Sequence, residues 1–419
     1  MNISLTYLIK YREVIFCIII AIILCAFTVS YAVTNIALFL LIPLFFLDTK
    51  NNISLKILSI KRSKAVLVYM LFFLVQCVGY FYSQDKSFAF RRIVVMLPLL
   101  FAPAIVFSES ITRKNAYKLL SFLKYAIIAT FVFLFLSHIF ILKRTLNTFV
   151  HFTVEEQLGI SQFYLTFILL LPILITLKAI FKKQQVFLNT VLLIISIAIL
   201  LLLGNKTFWF FMVLLGLVYT VLLIVRSQTK KAMLLIAIAL ISVFVASQTN
   251  IVKNRMGVFI KTTDFDLETI ITKNKFTETK NTFEHRLLIN YLAGKEIIKA
   301  LPFGVGTGDF QTVLNTQYKA VNFKRGIKGR LNNHNQYLSE FLKTGVLGGF
   351  LFLFLLYSLF KKANSQQFFY PIFLSFFIVA CGFESYLFRQ HGVVIFVFLI
   401  PFLYTIDSAL NNIDNNKQL

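Results

Sequence analysis

The sequence predicts an all-α polytopic membrane protein, with about 12 transmembrane helices and one long, partly helical external loop between spans 9 and 10. Three observations carry that prediction. Of 419 residues, 58% are hydrophobic and only 14% are charged, against about 25% charged in an average soluble domain. The apolar residues form continuous runs, unlike the short alternating segments of an outer-membrane barrel. Twelve helices of about 20 residues require about 240 apolar positions, close to the number present. The same excess excludes a large soluble domain and a disordered chain.

Taken in order, the apolar runs lie near 14–29, 31–47, 65–82, 93–107, 122–142, 162–177, 186–203, 208–225, 232–247, 345–360, 367–383 and 392–406. The first follows Lys10 and Arg12, as a signal peptide would, but no small-residue cleavage site follows. It is read as a retained span. Cys17, Cys25, Cys77 and Cys381 all lie in or at the end of apolar runs, without metal-site spacing. The chain therefore divides into 1–247 with spans 1–9, the polar loop 248–344, and 345–419 with spans 10–12 and a short tail. No internal repeat occurs at solenoid periods.

Orientation follows from the placement of Lys and Arg in the short connectors. With the N-terminus inside, the cytoplasmic segments hold 20 basic residues and the short external connectors only 7. That bias puts both termini in the cytoplasm and the 248–344 loop outside, long loops being exempt from the rule. The net charge of +25 then reflects topology and anionic lipid head groups, with no need for nucleic acid.

Ionisable residues inside the spans are almost confined to Lys124 and His138. The external ends and loops instead collect Lys206, His285, Arg286, His334, Glu384, Arg389 and His391. Polar chemistry on one face suggests an outward-facing site, whereas a transporter would place it near the midplane. Within the long loop, Thr282–Ala300 reads as a helix with Leu287, Tyr291, Gly294 and Ile298 as its stripe, ending at Leu301–Pro302. The glycines of Gly304–Val305–Gly306–Thr307–Gly308 loosely match a dinucleotide fingerprint, but no strand precedes them. They are read as a backbone turn packed closely on its neighbours. Further on, Asn333 is read as an N-cap that places His334 in the first turn of a helix running into the next span. A helix N-terminus favours neutral imidazole, the form a general base requires. The polar start of a helix at a membrane surface is the simpler alternative. Arg286 and Arg389 have bland readings too, as lipid-phosphate contacts or ion pairs. Lys206, in the tight turn Gly204–Asn205–Lys206–Thr207, could snorkel or meet an anionic head group.

Together these motifs resemble the O-antigen ligase and polymerase superfamily. The resemblance rests on His334–Asn335–Gln336–Tyr337–Leu338 running into Gly345–Val346–Leu347–Gly348, on the Arg286 helix ending in Pro302–Phe303–Gly304, and on Glu384–Ser385–Tyr386–Leu387–Phe388–Arg389–Gln390–His391–Gly392. It covers about residues 186–405 in specific motifs and the rest by topology. It implies a metal-independent glycosyltransferase of the bacterial inner membrane, without a cofactor, whose active site lies in the periplasmic loop. The donor it implies is a glycan on undecaprenyl pyrophosphate. The acceptor is lipid A-core in a ligase and another lipid-linked glycan in a polymerase. His334 would then be the catalytic histidine and Arg286 a catalytic and pyrophosphate-binding residue, with Lys206 and Arg389 as further pyrophosphate ligands. Lys206 departs from the family, which usually has Arg in that turn, and a point charge cannot form the same fork. Ligase is the leading expectation and polymerase the alternative. A lipid-linked oligosaccharide transporter is the rival from another class.

Overall fold

The computed structural model describes residues 8–225, 227–230, 233, 236, 259–276 and 281–411. Its helices are α1 (Arg12–Ala26), α2 (Tyr31–Phe46), α3 (Lys50–Arg62), α4 (Lys64–Tyr82), α5 (Lys86–Ser108) and α6 (Arg113–Ile141). They continue as α7 (Gln162–Phe181), α8 (Val186–Leu203) and α9 (Lys206–Val225). Then come α10 (Leu267–Phe276), α11 (Thr282–Ala300), α12 (Phe310–Ala320) and α13 (Lys324–Gly329). The chain closes with α14 (Gln336–Phe360), α15 (Phe369–Cys381) and α16 (Gln390–Asn411). No strand occurs among the described residues.

Eight of these helices, α4 to α9, α14 and α16, are long and apolar enough to cross a membrane, and α2 with α3 makes a ninth if that bent pair is one span. The expected run 232–247 lies outside the described residues, apart from Met233 and Ile236, as do Arg226, Lys231 and Lys417. Most other runs coincide with helices. The second run breaks after α2, where the chain turns through 118° into the polar α3. Thr49 caps that turn by accepting the Asn52 N–H.

One continuous apolar core joins the membrane helices. Along α16, 89% of the apolar window is buried, against 28% for α8 and 22% for α9. The centre of the bundle is therefore α16, and α8 and α9 are its least buried spans among the described residues. Phenylalanine fills much of this core: Phe377 stacks on Phe396 at 4.8 Å, and the Tyr69 hydroxyl donates to the Phe396 carbonyl at 2.8 Å. At one end of the bundle, Arg12 pairs with Glu109 in a two-pronged contact, and Lys56 bridges Asp48 at 2.6 Å and Glu109 at 3.0 Å.

Helices α10 to α13 and the start of α14 enclose a second, smaller core around Leu288, Leu292, Phe310, Tyr318, Phe323 and Leu342. Helix α11 spans the expected residues but buries a different stripe. Leu288, Ile289, Leu292 and Ala293 face the core, while Ile298 is 74% exposed. Packing against α12 and α14 rotates the helix about one residue from the face that apolar spacing alone selects.

The glycine run locks this part to the bundle as a close-packed turn. Gly304 and Gly306 have φ of 78° and 103°, in the region that favours glycine. A Cβ on Gly306 would come within 2.5 Å of Ser83 Oγ. Helix α14 breaks at Thr344–Gly345. Its free carbonyls at Leu342 and Lys343 accept the N–H groups of Val305 and Gly306, both at 2.9 Å, and the Val346 N–H donates to the Pro302 carbonyl at 2.9 Å. The unpaired groups of a helix break are thus satisfied by a second segment.

Candidate active site

At the end of the bundle opposite Arg12, the segment 332–339 meets the connector between α15 and α16. The helix start differs from expectation. Asn335, whose Oδ1 accepts the Leu338 N–H at 3.1 Å, is the N-cap, and α14 begins at Gln336. Three asparagines in a row of four made the cap ambiguous, and Asn333 is used elsewhere: buried, it accepts from Ser385 Oγ at 2.9 Å and from Ser339 Oγ. His334 therefore lies just before the helix, at φ 43°. Its N–H donates to Asn332 Oδ1 at 3.0 Å. A left-handed histidine costs about 1–3 kcal/mol and persists only where surrounding bonds hold it.

What holds its ring is Glu384, 50 residues away: Nδ1 lies 3.0 Å from Glu384 Oε2. Burial pushes the Glu384 carboxyl up, but the His334 bond and charge, the Arg286 charge and the Ser385 N–H outweigh it and leave the group below its usual range. As a carboxylate it can only accept, so Nδ1 carries a proton, and in the neutral ring the lone pair falls on Nε2. The His334 side chain is 26% exposed, and Nε2 has no protein partner among the described residues. That is the geometry of an oriented general base.

The connector is fixed from two sides. Gln336 Oε1 accepts the Leu387 N–H at 2.8 Å. Arg92 donates to the Leu387 carbonyl at 2.8 Å and to that of Phe388, with its guanidinium 4.5 Å from the Phe388 ring centre. Gln336 is itself part of a buried network in which Glu340 accepts from Gln76 Nε2 at 2.7 Å and from Lys343.

Of the four residues expected at the site, the structure brings two together. Arg286, on α11 and half-buried, acts electrostatically on Glu384 and so joins His334. Its guanidinium makes no protein hydrogen bond among the described residues. Arg389 is exposed and acts on Tyr31, Tyr164 and His391 instead. Lys206 is exposed at the first turn of α9, next to its cap Asn205, whose Oδ1 accepts the Thr207 N–H at 3.1 Å. It has no hydrogen bond or ion pair to the other three among the described residues. Sequence reasoning placed Glu384 in the external polar group without a role, and missed Arg92, Gln336 and Ser385. The only local signal was a lone acid in a short external connector. No group of three or more His, Cys, Asp or Glu side chains is placed to hold a metal ion among the described residues.

Fold and site together define a multi-pass helical membrane protein with a partly exposed His334–Glu384 pair at one end of its bundle. Residues 191–353 match the family model described as O-antigen ligase. The match supports a place in the O-antigen ligase superfamily and indicates a ligase- or polymerase-type function. It takes in Lys206, Arg286 and His334 and ends before Glu384 and Arg389. No curated protein matches the chain.

Proposed function

We propose that the protein is a glycosyltransferase of the bacterial inner membrane. It moves a glycan from undecaprenyl pyrophosphate to a sugar hydroxyl at the periplasmic face. As an O-antigen ligase its acceptor is lipid A-core; an O-antigen polymerase with a lipid-linked acceptor is the second reading, because the family match covers both. The observation that carries the proposal is the His334–Glu384 pair with Arg286 beside it, inside and adjoining the matched segment. Neither reaction calls for a metal ion or a cofactor.

In this reading Nε2 of His334 takes the proton of the acceptor hydroxyl as its oxygen forms a bond to the anomeric carbon. The bond from that carbon to the pyrophosphate oxygen breaks, and undecaprenyl pyrophosphate leaves with the electron pair. Glu384 keeps the imidazole in the correct tautomer and stabilises the imidazolium that results. The Arg286 guanidinium, with no hydrogen-bond partner among the described residues, offers two parallel donors to the developing pyrophosphate charge. Lys206 and Arg389 supply further positive charge toward the same head group as it leaves.

Reconstitution with a defined lipid-linked donor, and with lipid A-core or a second lipid-linked glycan as acceptor, tests this. Transfer to lipid A-core identifies the ligase, and chain extension identifies the polymerase. His334→Ala and Arg286→Ala should each abolish transfer while leaving expression intact. Wild-type transfer by both variants removes the site. Translocation of the lipid-linked glycan that persists in His334→Ala, with no transfer in any protein, would favour a transporter.

A further inference from the structure

Away from His334, α6, α7 and α8 enclose a cavity of about 490 Å³. It lies at the other end of the bundle. Tyr164, near the start of α7, stacks on His391 beside the α15–α16 connector, whereas Lys178 lies 14 residues further along α7, about 21 Å away at 1.5 Å per residue. Three lysines line the cavity: Lys124, Lys178 and Lys182. The buried Lys124 ammonium donates to Asn189 Oδ1 at 2.9 Å. Lys182 reaches the Tyr117 hydroxyl at 3.4 Å, and Lys178 lies 4.7 Å from the Phe369 ring centre.

Each ammonium thus rests on a neutral group. None has a carboxylate within ion-pair distance among the described residues. The one acid acting on Lys178 from a neighbouring element is Asp407 of α16, whose Oδ2 already accepts the Tyr370 N–H at 2.8 Å. Three cations against one acid leave the cavity positive. Its surroundings are apolar. Phe181 is 77% exposed and Phe187 is 84% exposed, and α8, which forms one wall, is one of the two least buried spans described above.

We propose that this cavity binds the phosphate of an anionic phospholipid, whose acyl chains run along the outer faces of α6 and α8. A positive pocket between helices, set beside exposed aromatic rings, suits a phosphate diester that carries its own apolar chains. A soluble phosphate presents the same anion but leaves the surrounding apolar surface uncovered. The assignment is independent of the chemistry at His334, since no residue is shared.

Native mass spectrometry of the purified protein tests it, with phosphatidylglycerol, phosphatidylcholine and inorganic phosphate as probes. Phosphatidylglycerol should bind more tightly than phosphatidylcholine, and the double variant Lys178→Gln with Lys182→Gln should weaken it about 30-fold, roughly 5-fold per lysine. The Lys178→Arg, Lys182→Arg pair should retain binding. Lys61→Gln with Arg62→Gln, exposed on α3, should leave it unchanged. Ser121→Asp, on the cavity wall, adds an acid without removing a lysine and should also lower affinity. Undiminished phosphatidylglycerol binding in both the double-Gln and Ser121→Asp variants overturns the proposal. So does an equal loss in the α3 variant, or no preference over phosphatidylcholine. Displacement of the lipid by equimolar inorganic phosphate assigns the pocket to a soluble anion and overturns the lipid.

Discussion

Arg12 and His334 stand at opposite ends of the bundle, in charge clusters built on different plans. Around Arg12, two cations and two acids are buried or half-buried and paired with one another: Glu109 serves both Arg12 and Lys56, and Lys56 also serves Asp48. Nothing there is left to offer a ligand. Around His334, only one side of each group is used. Glu384 takes Nδ1 and leaves Nε2 open, while the Arg286 guanidinium has electrostatic company but no hydrogen bond among the described residues. Saturated charge holds helices together; charge with unused valence is available to a substrate.

The contrast can be broken most decisively by exchanging outcomes. His334→Ala should reduce glycan transfer by about 10²–10⁴-fold, with a smaller loss of unfolding temperature in detergent than Arg12→Ala, because Glu384 keeps the Arg286 charge and the Ser385 N–H. Arg12→Ala should do the reverse, leaving Glu109 buried beside a single lysine and costing about 3–5 kcal/mol of stability, with transfer per folded molecule retained. A large stability loss in His334→Ala, or a selective loss of transfer in Arg12→Ala, would erase the distinction.

A backbone substitution comes next in size. Gly306→Ala places a Cβ against Ser83 at a φ suited to glycine, and should cost about 1–3 kcal/mol. Unchanged thermal unfolding would show that the turn can relax. Glu384→Gln sharpens the chemical end. The folded carboxyl titrates below its ordinary value of 4.5, so its contribution to stability is complete above that value and fades as the pH falls through the folded pKa. Wild-type protein should lose stability on acidification where Glu384→Gln does not, and superimposable unfolding curves would contradict the pairing. The smallest effect is expected of Lys206→Arg. At an exposed position it should keep transfer within about 0.5 kcal/mol of wild type; a marked fall would mean that the ammonium itself is required.

How much could be read beforehand depended on range. Continuous apolar runs specify helices almost alone, so α4, α7 and α8 begin and end within a few residues of expectation. The start of α14 was harder, because Asn332, Asn333 and Asn335 can all cap a helix and only tertiary partners such as Ser385 choose among them. The buried stripe of α11 was misassigned for the same reason. Its neighbours Phe310 and Leu342, not its own spacing, select the face. His334 and Arg286 stood out by residue type, but the carboxylate that orients His334 comes from a connector 50 residues later. No local pattern announces such a partner.

The break at Thr344–Gly345 has a mechanical meaning. An interrupted membrane helix is ordinarily compliant, because its loose carbonyls let the two halves swivel. Here those carbonyls are stitched to residues 305 and 306, and Tyr82 anchors the Phe303 carbonyl at 2.8 Å. The result is a rigid elbow. The break thereby ties the His334 half of α14 directly to the turn that follows α11, the helix that carries Arg286.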